Sequence, residues 1–409
     1  MARPAALWAS SFSLDPGGNL SHPAGSARSP ATGGTSSSPE IVELFLNRRS
    51  DRDRFVSVPF TLARAFPSWQ PGIRRLHADV VHPSRNPFWR RRRGWFFIAR
   101  QEGRTVGRMA VIEPGCIPQR PSAAVLAFPD FIDDAGVVRA LIDAVCSRAR
   151  EHGASELIGP LNPDIHHDIG IQVSGFEQRN AVFMGYQPSY YARRLEAEEF
   201  LPFMDAHAWS LYHDTFLRTG RLRGLAERVE RRPELRIRSA DPSRFDDELE
   251  VFFHLYSEAF ADHWGFSRPT WDEFAFVASD LRYIIRKHLA LIAEWNGEPV
   301  GFALGVPDIY EILPNNASGR LTIPFVLHML RRWRSISLVR VMIAGVLPGY
   351  RRLGIHAPLF YRMASAIFDL GLRGGEISWV VQDNEGMSES LPLLGARTTK
   401  TYRLYTRSL

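Results

Sequence analysis

The sequence predicts a mixed α/β (α+β) protein with two copies of one structural plan, each a mixed, mostly antiparallel sheet flanked by helices. The first observation is that short apolar stretches typical of strands alternate with longer stretches whose apolar residues recur at helical spacing. The second is an internal repeat, in which Phe97–Gly107 and Leu291–Gly301 place their apolar residues, their turn and a Val-Gly pair in step. The third is the length of 409 residues, which is enough for two cores.

Composition divides the chain into four parts. Residues 1–39 are rich in Gly, Ser, Pro and Ala and have no apolar periodicity, so a disordered N-terminal tail is expected there. The first copy then covers residues 40–200, and the second copy covers residues 237–409. Between them, residues 201–236 are basic and are expected to form a mostly helical connection.

The first copy is expected to contain a hairpin, a third strand, a helix and a further strand. Gly136–His152 carries apolar residues at helical spacing, and Gly153 is expected to end that helix before a strand that opens at Glu156. The three earlier strands are predicted at Trp95–Ala99, Thr105–Val111 and Ala123–Phe128.

The second copy repeats this order. Two amphipathic helices are predicted at Phe245–Phe260 and Trp271–His288, followed by a hairpin whose turn contains Asn296-Gly297. A buried strand is expected at Val339–Val346, and a later helix is expected to end at Gly371, as its counterpart does in the first copy.

Composition and charge limit the classes of function. The chain has 45% hydrophobic and 23% charged residues, as globular proteins do, and its net charge of +6 suits an anionic ligand but is too small to indicate nucleic acid by itself. Cys116 and Cys146 have no paired spacing, so neither a disulfide framework nor a cysteine metal site is expected, and a reducing compartment is favoured. No apolar run reaches the ~20 residues that span a bilayer, so no membrane partner is expected and the cytoplasm is the predicted location.

Three polar clusters have both a functional and an ordinary explanation. Adjacent histidines in His166–Asp168 point in different directions and lack a third ligand at suitable spacing, so no metal site is predicted. The basic runs Arg90–Arg93 and Arg331–Arg334 could contact phosphates or a tRNA acceptor stem, or could be solvated surface.

The strand Val339–Val346 runs into a tight basic turn and then into a helix. The turn has the pattern Val346-x-Pro348-x-Tyr350-Arg351-x-x-Gly354-Ile355. A turn of free backbone amides at a helix N-terminus is an anion site. This pattern resembles the pyrophosphate-binding motif of the GCN5-related N-acetyltransferases, abbreviated GNAT.

The resemblance implies that main-chain amides of this turn hold the diphosphate of acetyl-CoA or of another acyl-CoA, without a metal. His356 stands where the family usually has Gly or Ala, so its imidazole either crowds the diphosphate or adds a donor. The residues implied in binding acyl-CoA are Gly345, Val346, Leu347, Arg351, Arg352, Leu353, Gly354, Ile355, His356 and Asn384.

The order of the predicted elements is similar to that of GNAT domains from about residue 40 onward, which implies two tandem GNAT-like domains. The runs Glu376–Met387, Asn86–Phe88 and Gly159–Asn162 are similar to a little-described bacterial group of tandem proteins. Paired copies also occur in N-myristoyltransferases and in the peptidoglycan bridge transferases that use aminoacyl-tRNA. The first copy has three acids and no Arg in Pro129–Asp134, which would repel a diphosphate, so it is expected to be degenerate.

The family's reaction is the direct transfer of an acyl group, here expected to be acetyl, from acyl-CoA to a primary amine of a small molecule or amino acid. Such a reaction needs a donor for the thioester oxygen, a base for the amine proton and an acid for the leaving thiolate. The donor is expected to be a backbone N–H within Gly345–Leu347, at the end of the motif strand, where a bulge would free it.

The base and the acid are each left with alternatives. The base is expected to be Glu376, which opens the strand beside the motif strand but could also be solvated at the strand edge. Asp308 is the other candidate base, although it could instead form a turn. Leu391 stands where the family has its acidic Tyr, and Tyr402 or Tyr405 on the closing strand could replace it or serve as packing.

The acceptor side is expected between the two helices that open the second copy. Trp264, Gly265 and Phe266 lie there and are expected either to contact the substrate or to pack at the core edge. The partners expected are a small-molecule amine and an acyl donor, which could be CoA or a carrier protein. Two alternatives stay open, namely an aminoacyl-tRNA-dependent transferase like the bridge transferases and a non-catalytic binding protein that kept the scaffold.

Overall fold

The computed structural model describes residues 38–216, 220–314 and 318–409, with the side chains of residues 220–222 excepted. The predicted tail, residues 1–39, lies outside these ranges except for its last two residues. The described strands are β1 Glu40–Leu44, β2 Gly94–Gln101, β3 Arg104–Ile112, β4 Ala123–Phe131, β5 Glu156–Gly159, β6 Ile171–Ser174, β7 Leu201–Tyr212, β8 Leu235–Ser239, β9 Ala290–Trp295, β10 Glu298–Pro307, β11 Leu338–Val346, β12 Gly374–Val381 and β13 Arg397–Ser408. The described helices are α1 Arg49–Leu62, α2 Arg74–Val80, α3 Phe88–Arg91, α4 Ala135–Glu151, α5 Tyr190–Glu196, α6 His213–Phe216, α7 Gly220–Glu230, α8 Phe245–Ala259, α9 Trp271–Ser279, α10 Ile323–Arg332, α11 His356–Asp369 and α12 Glu385–Leu393.

The strands form one 13-stranded sheet that runs through both halves of the chain. Its order is β1-β2-β3-β4-β5-β13-β7-β12-β11-β10-β9-β8, with β6 paired to β13. Among the described strands, β4 with β5 and β11 with β12 are parallel neighbours, and the other pairs are antiparallel. The predicted fold class, a mixed and mostly antiparallel sheet flanked by helices, is confirmed.

The two longest strands lie beside the opposite half of the chain. The C-terminal strand β13 pairs with β5 of the first half, and β7 pairs with β12 of the second half. Residues 201–236 were expected to be mostly helical, and for residues 201–212 that prediction is wrong. In β7, buried Met204, Ala206 and Ala208 alternate with more exposed residues, which is the two-residue period of a strand.

Helices cover both faces of each half of the sheet. In the first half, Phe96 and Ile98 of β2 pack toward α1, whereas Phe97 and Ala99 pack toward α4. Because successive side chains of a strand point to opposite faces, these two helices lie on opposite sides of the sheet. In the second half, α8 and α11 are arranged about β9 in the same way. Among the described residues, no helix has the length and apolar character needed to cross a membrane.

The two hairpins of the internal repeat have the same turn geometry. Asn296 and Gly297 have φ angles of 52° and 87°, and Glu102 and Gly103 have φ angles of 50° and 76°. Positive φ at both central residues is typical of the tight turn that matches the twist of paired strands. The hairpins predicted from the repeat are therefore present in both halves, β2 with β3 and β9 with β10.

Candidate functional site

The parallel strands β11 and β12 separate at the centre of the second half. Their register pairs Leu338–Val341 with Gly374–Ile377 and ends there. Beyond that point β11 stays paired with β10, while β12 stays paired with β7. An opening therefore lies between Met342–Val346 of β11 and Ser378–Val381 of β12, and backbone groups along its edges are not used by a β11–β12 ladder.

Two cavities meet at this opening. The large cavity, about 410 Å³, is lined by residues from both halves of the chain, and the small cavity, about 190 Å³, lies against α11 and α12. Both linings are predominantly apolar, as small-molecule sites usually are. The residues that line both cavities are Ile165, Tyr256, Met342, Ile343 and Trp379.

The motif turn at the end of β11 uses some of its amides and leaves others without a backbone acceptor. The Leu347 amide donates to Val300 O at 2.9 Å, and the Gly354 amide donates to Arg351 O at 3.3 Å. The amides of Ile355 and His356, at the start of α11, have no backbone acceptor among the described residues. Anion binding by this turn stays a prediction, and the Ile355 and His356 amides are the donors that could serve it.

The two arginines of the turn have different surroundings. The Arg351 guanidinium donates to Val346 O at 3.3 Å and to Ala259 O at 2.7 Å, so it ties α8 to the end of β11. The role of Arg351 in binding phosphate stays a prediction, because these two contacts use only part of its guanidinium. Arg352 is exposed, and no ion pair of its side chain is found in the described part of the chain, so it remains available to an anion.

His356 does not fill the site. Its ring is half-buried beside Phe360, with the ring centroids 6.1 Å apart, and it lines neither cavity. Burial lowers the pKa of His356, which favours the neutral imidazole. Whether His356 crowds the diphosphate or adds a donor to it stays a prediction.

The bulge expected at the end of β11 occurs earlier in the strand. Ile343 pairs with Leu304 and Val341 pairs with Gly305, which leaves Met342 without a register partner on β10 or β12. Gly345 and Val346 remain in register with β10. The Leu347 amide is engaged with Val300 O, whereas an oxyanion donor at Gly345 or Val346 stays a prediction. The bulge adds Met342–Ile343, which line both cavities, as a second candidate.

Glu376 is a buried ion-pair partner. Its carboxylate lies 2.6 Å from Lys400 Nζ and accepts a hydrogen bond from Ser378 Oγ at 3.0 Å. The side chains of Glu376 and Lys400 are 10% and 2% exposed, and neither residue lines a cavity. A carboxylate that neutralises a buried ammonium is not available to an amine, so the prediction that Glu376 is the base is corrected.

The other predicted catalytic residues are also structural. Asp308 accepts hydrogen bonds from the Val182 and Tyr310 amides at 2.9 and 3.2 Å and pairs with Arg179 at 2.7 Å, which is the turn-forming alternative. Tyr402 is buried and its hydroxyl donates to a backbone carbonyl, that of Gly185, at 3.3 Å.

Tyr405, the second tyrosine considered as the acid, donates to Glu196 at 2.9 Å. Neither Tyr402 nor Tyr405 lines a cavity, so both match the packing alternative.

The predicted acceptor segment does reach a cavity. Trp264 and Phe266 line the small cavity, and Gly265 between them has a φ of 73° and donates its amide to Gln119 Oε1 at 3.0 Å. Asn384 also lines the small cavity, although its side chain caps α12 by accepting from the Met387 amide at 3.2 Å. Their contact with a substrate stays a prediction.

The corresponding opening of the first half is occupied by its own chain. The pairing of β4 with β5 ends at Val125 and Ile158. Beyond them, Asn162 Oδ1 accepts from the Phe128 amide at 2.6 Å, and Asn162 Nδ2 donates to Asp168 at 3.0 Å. The loop after β5 therefore takes the place that a ligand would need between these strands.

That same loop carries a cluster of acid–base residues into the large cavity, which sequence reasoning dismissed because it considered only metal binding. His167 Nδ1 lies 2.7 Å from Asp164 Oδ1. A carboxylate only accepts, so Nδ1 carries the hydrogen and Nε2 of the neutral ring has the lone pair. His167 Nε2 is buried and has no hydrogen-bond partner among the described residues. This is the arrangement of an oriented base.

The neighbouring His166 is fully engaged. Its Nε2 lies 2.8 Å from Ser267 O, which can only accept, so Nε2 carries the hydrogen and Nδ1 accepts from the Tyr256 hydroxyl at 2.5 Å. Tyr256 belongs to α8 of the second half and lines both cavities. The His166–Tyr256 bond thus joins the two halves of the chain at the junction of the cavities.

Two carboxylates of this loop differ in their electrostatics. Burial opposes ionisation of Asp164, but the nearby His167 and His166 rings lower its pKa to about 2, so Asp164 remains a carboxylate. Burial raises the pKa of Asp168 to about 6, although the hydrogen bond from Asn162 acts to lower it. The Asp164–His167 spacing is visible in the sequence, whereas the free Nε2 and the contact with Tyr256 are not.

The fold and this opening define the class of the protein: it has the tandem GNAT fold, with the opening of the first half closed by its own loop. Among solved structures, it is similar to a tandem GNAT protein from the clavulanic acid biosynthesis pathway, with 14% identity and a TM-score of 0.52 over 90% of this chain and 98% of that chain. A GCN5-related glucosamine N-acetyltransferase region of a fungal β-N-acetylglucosaminidase matches with 13% identity and a TM-score of 0.52, over 90% of this chain and 38% of that one.

Curated sequences add two relatives at the level of the whole chain. A bacterial ceramide synthase of Caulobacter vibrioides is 28% identical over 370 residues, which are 87% of this chain and 94% of that protein. Protein YghO of Escherichia coli is 27% identical over 383 residues, 90% of this chain and 95% of that protein. No protein-family model matches the sequence.

Proposed function

We propose that this protein is an N-acyltransferase that moves a long-chain acyl group from acyl-CoA to the amine of a long-chain amino alcohol. The observation that carries this is the meeting of two apolar cavities at the β11–β12 opening. Similarity to a bacterial ceramide synthase supports it, because a ceramide is the amide of a fatty acid with a long-chain amino alcohol. The acylation of an amine, which the sequence predicted, is kept in this proposal. A long-chain acyl group replaces the predicted acetyl group, and a long-chain amino alcohol replaces the predicted small-molecule acceptor.

The donor would bind along the opening of the second half. The Ile355 and His356 amides and the exposed Arg352 would hold the diphosphate at the start of α11. The acyl chain would enter the small cavity, whose lining from α11 includes Phe360 and Met363. The thioester carbonyl would then lie at the junction of the cavities.

The acceptor would lie in the large cavity with its amine at His167. Nε2 of His167 takes a proton from the amine, and Asp164 stabilises the imidazolium that forms. The amine nitrogen attacks the thioester carbon, a backbone N–H of Met342–Ile343 stabilises the oxyanion, and the carbon–sulfur bond breaks. The leaving thiolate then takes the proton that His167 received from the amine, which restores the neutral imidazole.

The division into two GNAT-like copies, residues 40–200 and 237–409, is part of the same proposal, with catalysis in the second copy only. We also propose a cytoplasmic location, because Cys116 and Cys146 are both free and buried. The first copy would then serve to shape the acceptor cavity and to supply the base.

A turnover assay with the full chain tests this function. Hexadecanoyl-CoA and sphinganine are incubated with the protein, and the N-acyl product and the released thiol are measured by mass spectrometry and a thiol reagent. We expect turnover at least about tenfold faster than with acetyl-CoA, because an acetyl group leaves the small cavity unfilled. Turnover only with an acyl carrier protein or an aminoacyl-tRNA as donor would contradict the choice of acyl-CoA. The absence of turnover with every one of these donors would contradict the enzymatic function.

A further inference from the structure

The helix α10 exposes a stripe of apolar side chains. Ile323 is 78% exposed, Leu330 is 66% exposed, and Val326 and Leu327 are 44% and 45% exposed. Their spacing of i, i+3, i+4 and i+7 places them on one side of the helix. Together with Leu321, they are five of the twelve large apolar side chains that are exposed among the described residues. Such a concentration marks an interaction surface.

A different set of side chains fixes this helix to the protein. Phe325 is buried, and Met329 and Trp333 pack against the core cluster that includes α8. The hydroxyl of Thr322 also caps the helix by accepting from the Phe325 amide. The apolar stripe is therefore additional to the residues that hold α10 in place.

Basic side chains lie at the C-terminal end of the stripe. Arg331, Arg332 and Arg334 are exposed, and within the described ranges none of them is in an ion pair. Three guanidinium groups without acidic partners favour an anionic surface over a neutral protein partner. A helix with an apolar stripe and a basic end is typical of segments that lie in the membrane interface.

The segment before α10 contacts the wall of the large cavity. Gly319 O accepts from the Arg74 amide at 2.8 Å. On the same wall, a Cβ at Gly72 would collide with the hydroxyl of Tyr310, and Tyr310 and Pro71 both line the cavity. Docking of α10 would therefore bring this wall of the cavity toward the docked surface.

We propose that α10 docks the protein onto the surface of an anionic lipid bilayer, with Ile323, Val326, Leu327 and Leu330 in the interface and the arginines on the head groups. This proposal departs from the expectation that the protein has no membrane partner, which considered only a spanning segment. This inference goes beyond the acyl-transfer proposal and does not depend on it, since it concerns binding alone.

Vesicle flotation with the full chain tests the docking. The vesicles are phosphatidylcholine alone or phosphatidylcholine with about one third phosphatidylglycerol. We expect the wild-type protein to float with the anionic vesicles, and Ile323→Ser/Leu330→Ser to bind about tenfold more weakly or worse. The matched control is Leu201→Ser, whose side chain is 65% exposed on β7 and which should bind as the wild type does. Circular dichroism and thermal unfolding check that the variants are folded.

Charge provides the second arm of this test. Arg331→Gln and Arg332→Gln should each weaken binding to the anionic vesicles by about fivefold, and high salt should have the same effect on the wild type. A wild-type protein that does not float overturns the proposal, as does a serine double variant that floats equally well. If sedimentation instead shows a wild-type dimer that the double variant converts to a monomer, without vesicle binding, the stripe is an interface between copies.

Discussion

Replacement of His167 by Gln tests the assignment of the base. Gln keeps a polar group beside Asp164, which lies 2.7 Å from the His167 ring, but it has no nitrogen that can take a proton. General-base catalysis contributes a factor of about 10² to 10⁴, so we expect kcat to fall by at least about 10², which corresponds to about 2.7 kcal/mol or more in the activation free energy. Binding of acyl-CoA should be unchanged, because the base lies on the acceptor side.

The assay is release of the CoA thiol from hexadecanoyl-CoA with sphinganine as acceptor, measured over a range of pH. In His167→Gln, solvent must take the amine proton, so the loss in kcat should shrink as the pH rises and more free amine is present. The control is His152→Gln, whose exposed ring packs on Trp95 and lines neither cavity, and which should leave kcat unchanged. A His167→Gln protein that is folded and retains kcat within about threefold would refute the assignment of His167 as the base.

Three further predictions concern the charged residues. Lys400→Met should lower the free energy of unfolding by about 3–5 kcal/mol in urea titrations, because it leaves Glu376 buried and unpaired. Adding Glu376→Gln should recover most of this loss. A loss below about 1 kcal/mol would contradict the buried ion pair. Arg352→Ala should raise KM for acyl-CoA about fivefold or more at constant kcat, whereas Arg351→Ala should mainly lower stability; equal effects on KM would remove the distinction between them. The pKa of Asp164 is about 2 in the folded protein and about 3.9 in the unfolded chain. Its carboxylate should therefore stabilise the fold above about pH 4 by up to about 3 kcal/mol, and that contribution should disappear as the pH falls toward 2. Asp164→Asn should lower stability at neutral pH only, as urea titrations at several pH values would show.

Patterns in short stretches of the sequence predicted those elements whose conformation depends on neighbouring residues, such as the hairpins. The hairpin over Asn296-Gly297 is present because both residues tolerate positive φ, and its repeat in the first half follows the same alternation of apolar residues. The strand β7 was missed because basic residues of the following α7 dominate the composition of 201–236. The strands β7 and β13 each pair with the opposite half of the chain, and no short sequence pattern indicates such long-range pairing.

The site was harder to predict because its residues come from distant parts of the chain. Glu376 was expected to open its strand and lies third in β12, but its partner Lys400 lies on β13 and only the fold brings them together. His167 was seen and set aside, because adjacency to a second histidine was weighed against metal binding alone. The contact between His166 and Tyr256 spans the two halves, so spacing in the sequence could not reveal it.

A crystal structure with a thioether analogue of hexadecanoyl-CoA tests most directly whether the β11–β12 opening of the second half is the site of acyl transfer. We expect the diphosphate on the Ile355 and His356 amides, the acyl chain in the small cavity, and the group that replaces the thioester carbonyl beside Met342–Ile343, facing His167. A diphosphate bound elsewhere, an analogue held in the first half, or no binding of the analogue at all would contradict this placement of the reaction.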